Sequence, residues 1–462
     1  MNDMKNGLLK IFDGLDAGDE IIIKRRFSDQ TEKRIGFEKI EGRFLKRWGD
    51  RPSLISVKMK NGYNISIDIS SIEGVEMSER KIISTEKLGA QTPKKDLPKV
   101  SLVQTGGTIA SSVDYDTGGV KPARDLLDFK NFAPEVEDIC KLESTAPISL
   151  LSENIGVKHW EMIANEVVGA FDKGARGVVI SHGTDTMAYT SSALSIMLMD
   201  LPGPVVLVGS QRSSDRPASD AKKNLLDACR VCTKGDLMGV YVLMHGSISD
   251  DISLLHRGDT VSKLHTSRRD SFQSIDRLPV GFVKNGEVRL LRRFEKTTQG
   301  RNPSFHSHMD RNISLIKIHP GIDVDDIERM SGKKSAILIE GTGLGNIPDR
   351  LIPAIVKEIR RGKPVVMKSQ CPYGKCDLNV YSTGRKVKET GVIDAGSMTT
   401  ETTLAIMMKI MGEIDHTLPN KRKIDLFSEV FLSYRSERIE RNLVYGFGEQ
   451  YFETIERWRR KN

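Results

Sequence analysis

The alternation of apolar and polar positions changes rhythm along the chain, and each change marks a boundary. Met1 to Asp16 is a short amphipathic stretch with charges mixed into it. Residues 17–75 lack helical periodicity and carry short strand-like runs at Glu20–Ile23, Leu54–Met59 and Asn64–Ile69. Asn61-Gly62, between the last two runs, supplies positive φ at both central positions of a tight turn, so a hairpin is expected there. The pattern predicts a small all-β module. A polar, proline-bearing linker follows at residues 87–98.

From Val100 onward, short β-branched runs alternate with amphipathic helices, which is the pattern of a parallel sheet covered on both faces. Strands are expected at 100–104, 177–181, 204–208 and 239–243, with a strand-like run at Ile148–Leu151. In a helix from Trp160 to Lys173, Trp160, Ile163, Val167 and Phe171 fall on one face and predict a core-facing stripe. Helical runs are also expected at Ser191–Met199 and Asp220–Cys232. A charged, irregular stretch at 292–311 then reads as an interdomain connection. Strands at 314–318, 335–340 and 364–368, with a helix from Asp349 to Arg361, make up a second, smaller α/β unit.

The chain has 462 residues, of which 38% are hydrophobic and 29% charged, so it can bury more than one core and is not a disordered chain. No apolar run reaches the roughly 18 residues that a membrane span needs, so no membrane association is expected. Five cysteines are too few and odd in number for a disulfide framework, which points to a reducing, cytoplasmic setting. The formal net charge of +8 suggests an anionic partner without identifying one, because the basic residues form only small clusters such as Lys24-Arg25-Arg26 and Arg268-Arg269.

Ligand sites in open parallel sheets form at the carboxyl ends of strands, so the segments that follow the strands carry the candidate chemistry. Thr105-Gly106-Gly107-Thr108 follows the first strand, and a second glycine pair closes a polar loop that holds Tyr115. Glycine pairs let such a loop open and close, and a hydroxyl at a strand end can act as a nucleophile if a base lies near. A plain glycine turn explains the segment equally well. His182-Gly183-Thr184-Asp185-Thr186 leads from strand into helix, where Thr184 and Asp185 are either anion-binding residues or ordinary N-caps. His182 alone reads as a packing residue. Lys263 sits among polar and apolar residues and is either an ordinary solvated lysine or, if the fold holds it beside Thr184 and Asp185, a proton relay. Ser152-Glu153, after the run at 148–151, reads alone as an ordinary loop, although a serine and a glutamate there can also grip the charged groups of an amino acid.

Taken together, Thr105–Ala110 and His182–Met187 within a βα domain resemble the bacterial-type L-asparaginase family over about residues 99–415. Lys317–Asp323 looks like the start of that family's smaller second domain. The resemblance implies Thr108 as nucleophile, Thr184, Asp185 and Lys263 as its supporting triad, and Tyr115 assisting proton transfer. It also implies Ser152 and Glu153, with Gly107 and Gly183, at the substrate. The added amino-terminal module and the segment Lys368–Cys376 are similar to the D-type subunit family of archaeal glutamyl-tRNA(Gln) amidotransferases. That resemblance implies an α/β fold: a two-domain asparaginase-like parallel-sheet core preceded by an SH3-like barrel. Its expected boundaries are 1–86 for the β module, 87–99 for the linker, 100–291 and 313–435 for the two α/β domains, 292–312 for their connection and 436–462 for a basic tail.

The implied activity is hydrolysis of glutamine, with ammonia passing to an E-type partner subunit that amidates glutamate on tRNA(Gln). The implied assembly is a heterodimer or heterotetramer, with self-association through the asparaginase-like domain. The chain lacks a G-x-x-x-x-G-K-[ST] loop, so no cofactor is expected in it, and ATP with magnesium falls to the partner. Two other readings are a free L-asparaginase and a non-catalytic RNA-binding scaffold. Cys229, Cys232, Cys371 and Cys376 have the ligand count for zinc, yet the first pair lies in a helical run and no metal is expected. Gly341–Gly345 departs by one place from the dinucleotide fingerprint and is expected to be a polar turn.

Overall fold

The computed structural model describes residues 2–16, 18–29, 34–45, 54–59, 64–77, 97–106, 112–113, 120–121, 133–212, 219–234, 237–291 and 302–437. The chain opens with α1 (Asn2–Asp13), then β1 (Glu20–Asp29), β2 (Arg34–Leu45), β3 (Leu54–Met59), β4 (Asn64–Asp68) and β5 (Ile72–Met77). These five strands form an antiparallel sheet ordered β4-β3-β2-β1-β5, in which the last strand returns to pair with the first. Alternate residues Ile21, Ile23, Ile40, Phe44, Ile55, Val57 and Ile67 are buried, as strands with one wet face require. Leu8 and Phe12 of α1 cover them, and the Phe12 and Phe44 rings stack at 5.8 Å. The hairpin expected at Asn61-Gly62 lies outside the described residues, although β3 and β4 pair antiparallel on either side of it. Most of the expected linker lies outside them as well.

The second unit begins with β6 (Lys99–Gln104), the short pair β7 (Ser112–Val113) and β8 (Val120–Lys121), and β9 (Lys141–Thr145). It continues through α2 (Val157–Asp172), β10 (Gly177–Ser181), α3 (Met187–Met197), β11 (Leu198–Met199), β12 (Pro204–Val208), α4 (Ala221–Thr233) and β13 (Gly239–His245). Then come β14 (Ile252–Arg257), β15 (Val261–Lys263), β16 (Phe272–Ser274), β17 (Gly281–Lys284) and β18 (Glu287–Leu290). An eight-stranded sheet runs β18-β17-β14-β13-β12-β10-β6-β9. Strands β9, β6, β10, β12 and β13 are parallel, and all but the edge strand β9 are buried on both faces, as helices on both sides of a sheet demand. The four stripe residues of α2 are all buried.

The sheet is nonetheless mixed. β14, β17 and β18 extend it antiparallel from β13, where the sequence pattern predicted only parallel strands. The strand-like run at Ile148–Leu151 is not a strand: β9 lies earlier, and Leu150 contributes one isolated bridge to Gly106. The predicted helix at Ser191–Met199 starts earlier, at Met187, and its last two residues leave it as β11.

β11 pairs with β19 (Ser304–Phe305), so the described part of the irregular 292–311 stretch packs on the first α/β domain. The second α/β domain holds β20 (Ile313–Lys317), α5 (Val324–Ser331), β21 (Ala336–Gly341), α6 (Ile352–Arg360), β22 (Val365–Ser369), α7 (Ser382–Glu389), β23 (Ile393–Asp394), α8 (Thr400–Glu413) and α9 (Asn420–Glu437). Its four strands are parallel, in the order β20-β21-β22-β23. One apolar cluster joins the two α/β domains: Ala193, Leu194 and Met197 of α3 share a core with Ile406, Met407 and Ile410 of α8.

Candidate functional site

The chain leaves β6 for β9 on one side of the sheet and then crosses to β10 on the other. Strand order therefore reverses at β6, and in such sheets a ligand crevice lies at the carboxyl ends of the strands beside the reversal, here β6 and β10. Thr105-Gly106 and the His182–Thr186 segment follow these two strands.

Thr105 anchors the first loop. Its side chain is buried and its hydroxyl donates to the Ser181 carbonyl at 2.8 Å, tying the end of β6 to the end of β10. Gly106 has φ +103°, and a Cβ there would press on the Leu150 carbonyl oxygen and lie 2.7 Å from the Leu150 nitrogen. Glycine is required here for both conformation and space. Gly107, Thr108 and Tyr115 lie outside the described residues.

The second loop carries most of the described chemistry. Thr184 and Asp185 do not cap α3, whose N-cap is Thr186 with no side-chain cap bond. Instead the Lys263 ammonium donates to Thr184 Oγ1 at 2.8 Å and to Asp185 Oδ1 at 2.6 Å. Thr184 is buried, Lys263 nearly so, and Asp185 faces solvent. Residues 79 apart in sequence thus meet as a hydroxyl, an amine and a carboxylate. Such a chain can move a proton to or from a group bound above it.

His182 is buried beneath this loop. Its Nδ1 lies 2.7 Å from the Gly183 carbonyl and its Nε2 lies 2.9 Å from the Thr190 hydroxyl. Trp160 Nε1 donates to the same hydroxyl at 3.1 Å, so Thr190 donates its own hydrogen bond to Nε2 of a neutral ring protonated on Nδ1. Burial pushes the His182 pKa down to about 4. The ring is a scaffold strut, as the sequence suggested.

Ser152 is buried in a short turn, and Glu153 is exposed beside it. A Cβ on Gly183 would lie 2.7 Å from Ser152 Cβ and 2.8 Å from its Oγ, so glycine lets the two loops touch. Thr186 Oγ1 donates to the Ser152 carbonyl at 2.6 Å. Ser152, Gly183, Thr184, Asp185 and Lys263 are brought together at one rim.

Sequence reasoning missed the groups that hold Lys263. It sits on β15, paired with β16 in a two-stranded hairpin apart from the main sheet. Ser262 donates to Glu401 Oε2 of α8 at 3.2 Å, and Tyr373 Oη donates to Gln273 Oε1 at 2.5 Å. The Gly374 N–H reaches both carboxylate oxygens of the buried Asp276 at 3.1 Å. Asp276 has φ +52°, an unusual backbone for a residue with a side chain. The only sequence signal was the polar segment Lys368–Cys376, whose target is invisible locally. Gly341–Gly345 forms the expected turn, with Thr342 and Asn346 exchanging main-chain bonds. Among the described residues no group of His, Cys, Asp and Glu is arranged to hold a metal, and no helix is long and apolar enough to cross a membrane.

Residues 99–296 match the family model described as Asparaginase, N-terminal, and residues 312–421 match that of the Glutaminase/Asparaginase C-terminal domain. The chain is 41% identical over 374 residues to the D-type subunit of glutamyl-tRNA(Gln) amidotransferase from Pyrococcus abyssi, covering 80% of this chain and 85% of that one. It is also 41% identical over 408 residues to the corresponding D-type subunit from Thermococcus kodakarensis, covering 87% and 91%. The solved structure of the thermostable L-asparaginase from Thermococcus kodakarensis superposes with a TM-score of 0.65 at 34% identity, covering 76% of this chain and all of that one.

Proposed function

The chain belongs to the D-type subunit family of glutamyl-tRNA(Gln) amidotransferases, and from that premise we propose that it is the glutaminase component of a tRNA-dependent amidotransferase. It hydrolyses glutamine, and the ammonia serves to convert glutamate on tRNA(Gln) to glutamine at a partner subunit. The observation that carries the reading is the Lys263–Thr184–Asp185 constellation at the rim of the crevice beside β6.

In this mechanism Thr108 attacks the side-chain amide carbon of glutamine. Its proton passes through the Thr184–Lys263 chain to the leaving nitrogen, with Tyr115 assisting. Ammonia departs, an acyl-enzyme remains, and water releases glutamate. Main-chain amides and Thr184 hold the developing oxyanion. Ser152 and Glu153, with Gly107 and Gly183 beside them, hold the amino-acid end of the substrate. The complex acts in the cytoplasm as a heterodimer or heterotetramer, with self-association through the asparaginase-like domain. ATP and magnesium bind the E-type partner, and this chain needs no cofactor. The domain limits proposed for it are those expected from the sequence.

Thr108→Val removes the hydroxyl at nearly constant shape and should abolish ammonia release; activity that survives it would remove Thr108 from the mechanism. Ammonia release from glutamine and from asparagine, with and without the partner and glutamylated tRNA, tests the assignment. Stimulation of glutamine hydrolysis by both additions is expected. Full-rate asparagine hydrolysis by the chain alone would favour a free asparaginase, the activity for which the Thermococcus kodakarensis neighbour is named.

A further inference from the structure

A hairpin of two three-residue strands has little stiffness of its own, yet β15–β16 must hold the Lys263 ammonium within hydrogen-bond distance of Thr184. The second α/β domain supplies contacts along this hairpin. Thr402 Oγ1 donates to the Asp259 carbonyl at 2.7 Å where the segment begins. Glu401 accepts from Ser262, Tyr373 reaches Gln273, and Gly374 closes on Asp276 where the segment ends.

Among these, the Ser262–Glu401 contact is adjacent to Lys263 in sequence. Glu401 sits in the first turn of α8; burial raises its pKa, and hydrogen bonds from its own backbone N–H and from the Ser262 and Thr399 side chains offset only part of that rise. Buried Lys368, whose Nζ donates to the Ser369 carbonyl at 2.8 Å, is within electrostatic reach of Glu401 and Glu340, as is the Tyr189 phenol. Thr400 Oγ1 holds Glu340 at 2.6 Å. Nothing in the proposed chemistry uses this interdomain cluster directly.

We infer that Glu401 is a positioning residue for the reaction: from the second domain it holds Ser262, and through Ser262 it keeps Lys263 in register with Thr184 and Asp185. The inference rests on the reading of Lys263 as part of the catalytic set. Strands alternate faces, so Ser262 points toward α8 while Lys263 points toward the crevice, and fixing one fixes the other. Burial raises the Glu401 pKa, so acidification removes the charge from this hydrogen bond before it would from an exposed glutamate.

The test measures kcat and KM for glutamine, as ammonia release against pH, on the full-length chain and its variants. Glu401→Ala and Ser262→Ala should each lower kcat by about tenfold with KM nearly unchanged, a size usual for coupled neighbours. The double variant should be no slower than either single one. Glu401→Gln keeps an acceptor for Ser262 but does not titrate. It should recover most of kcat and shift the acidic limb of the profile to lower pH. Additive losses in the double variant, a change in KM alone, or a Glu401→Gln acidic limb lying on that of wild type would overturn the inference. Should Glu401→Ala fail to fold, Ser262→Ala carries the kinetic test with loss of one hydroxyl. Lys263→Ala separates the two readings. Wild-type activity in that variant sinks the catalytic assignment itself, whereas an inactive Lys263→Ala beside fully active Glu401→Ala and Ser262→Ala sinks only the positioning role.

Discussion

Replacing Gly106 by Ala tests whether the crevice depends on the close crossing of β6 and Leu150. The added Cβ meets main-chain atoms, with the Leu150 nitrogen at 2.7 Å and its carbonyl carbon at 3.0 Å, so no side chain can swing away to relieve it. Left-handed backbone costs a residue with a Cβ about 1–2 kcal/mol. Overpacking of a fixed interior adds about 1–3 kcal/mol. A loss of ~3 kcal/mol is therefore expected, which lowers the melting temperature of a domain of this size by roughly 6–12 °C. Displacing the strand end also moves the loop that leads to Thr108, and a misplacement near 1 Å can cost about a hundredfold in rate.

The control is Gly169→Ala, inside α2, where an added Cβ meets nothing within 4 Å. There alanine should stabilise by about 0.5–1 kcal/mol, because it restricts the unfolded chain and favours the helix. Differential scanning calorimetry and glutamine turnover on both variants measure the contrast. Equal melting temperatures, or a Gly106→Ala enzyme with wild-type turnover, would refute the reasoning.

Two further expectations follow from the same geometry. Gly183→Ala pushes on Ser152 and should raise KM for glutamine more than it lowers kcat; a fall in kcat at constant KM would remove Ser152 from ground-state binding. His182 and His256 are buried, with pKa values depressed to about 4 and about 3 by desolvation, so in acid the unfolded chain binds protons that the folded one does not. Their contribution to stability is complete above about pH 6.5 and is lost as pH falls toward about 4 for His182 and about 3 for His256, with a slope of up to about 1.4 kcal/mol per pH unit for each ring. The urea midpoint followed over that window should show this loss. His256→Leu should reduce the slope, and an unchanged slope would exclude His256 as its source.

The continuous β-branched runs and the helical stripe of α2 were legible because they are local consequences of burial on both faces of a parallel sheet. The segments Thr105–Thr108 and His182–Thr186 could be picked out as candidates because strand ends in such a sheet are where ligands bind. Two features were not legible. The antiparallel strands β14, β17 and β18 carry no local mark of their direction, which the turn back from β13 decides. The run at Ile148–Leu151 has strand-forming residues, but β6 finds its partner in β9, leaving Leu150 a single bridge. Thr184 and Asp185 had the composition of helix caps, but the family resemblance set them beside Lys263 from 79 residues away, and the structure makes that contact.

The sequence by itself determined most of the order of elements and the βα architecture, because periodicity and glycine placement act over a few residues, while the candidate side chains came from motifs that resemble a known family. The tertiary structure decided which side chains meet. The grip of Glu401, Tyr373 and Gly374 on the Lys263 hairpin depends on two domains closing around a shared core of α3 and α8. That closure sums contacts between residues about a hundred or more positions apart, which no local pattern encodes.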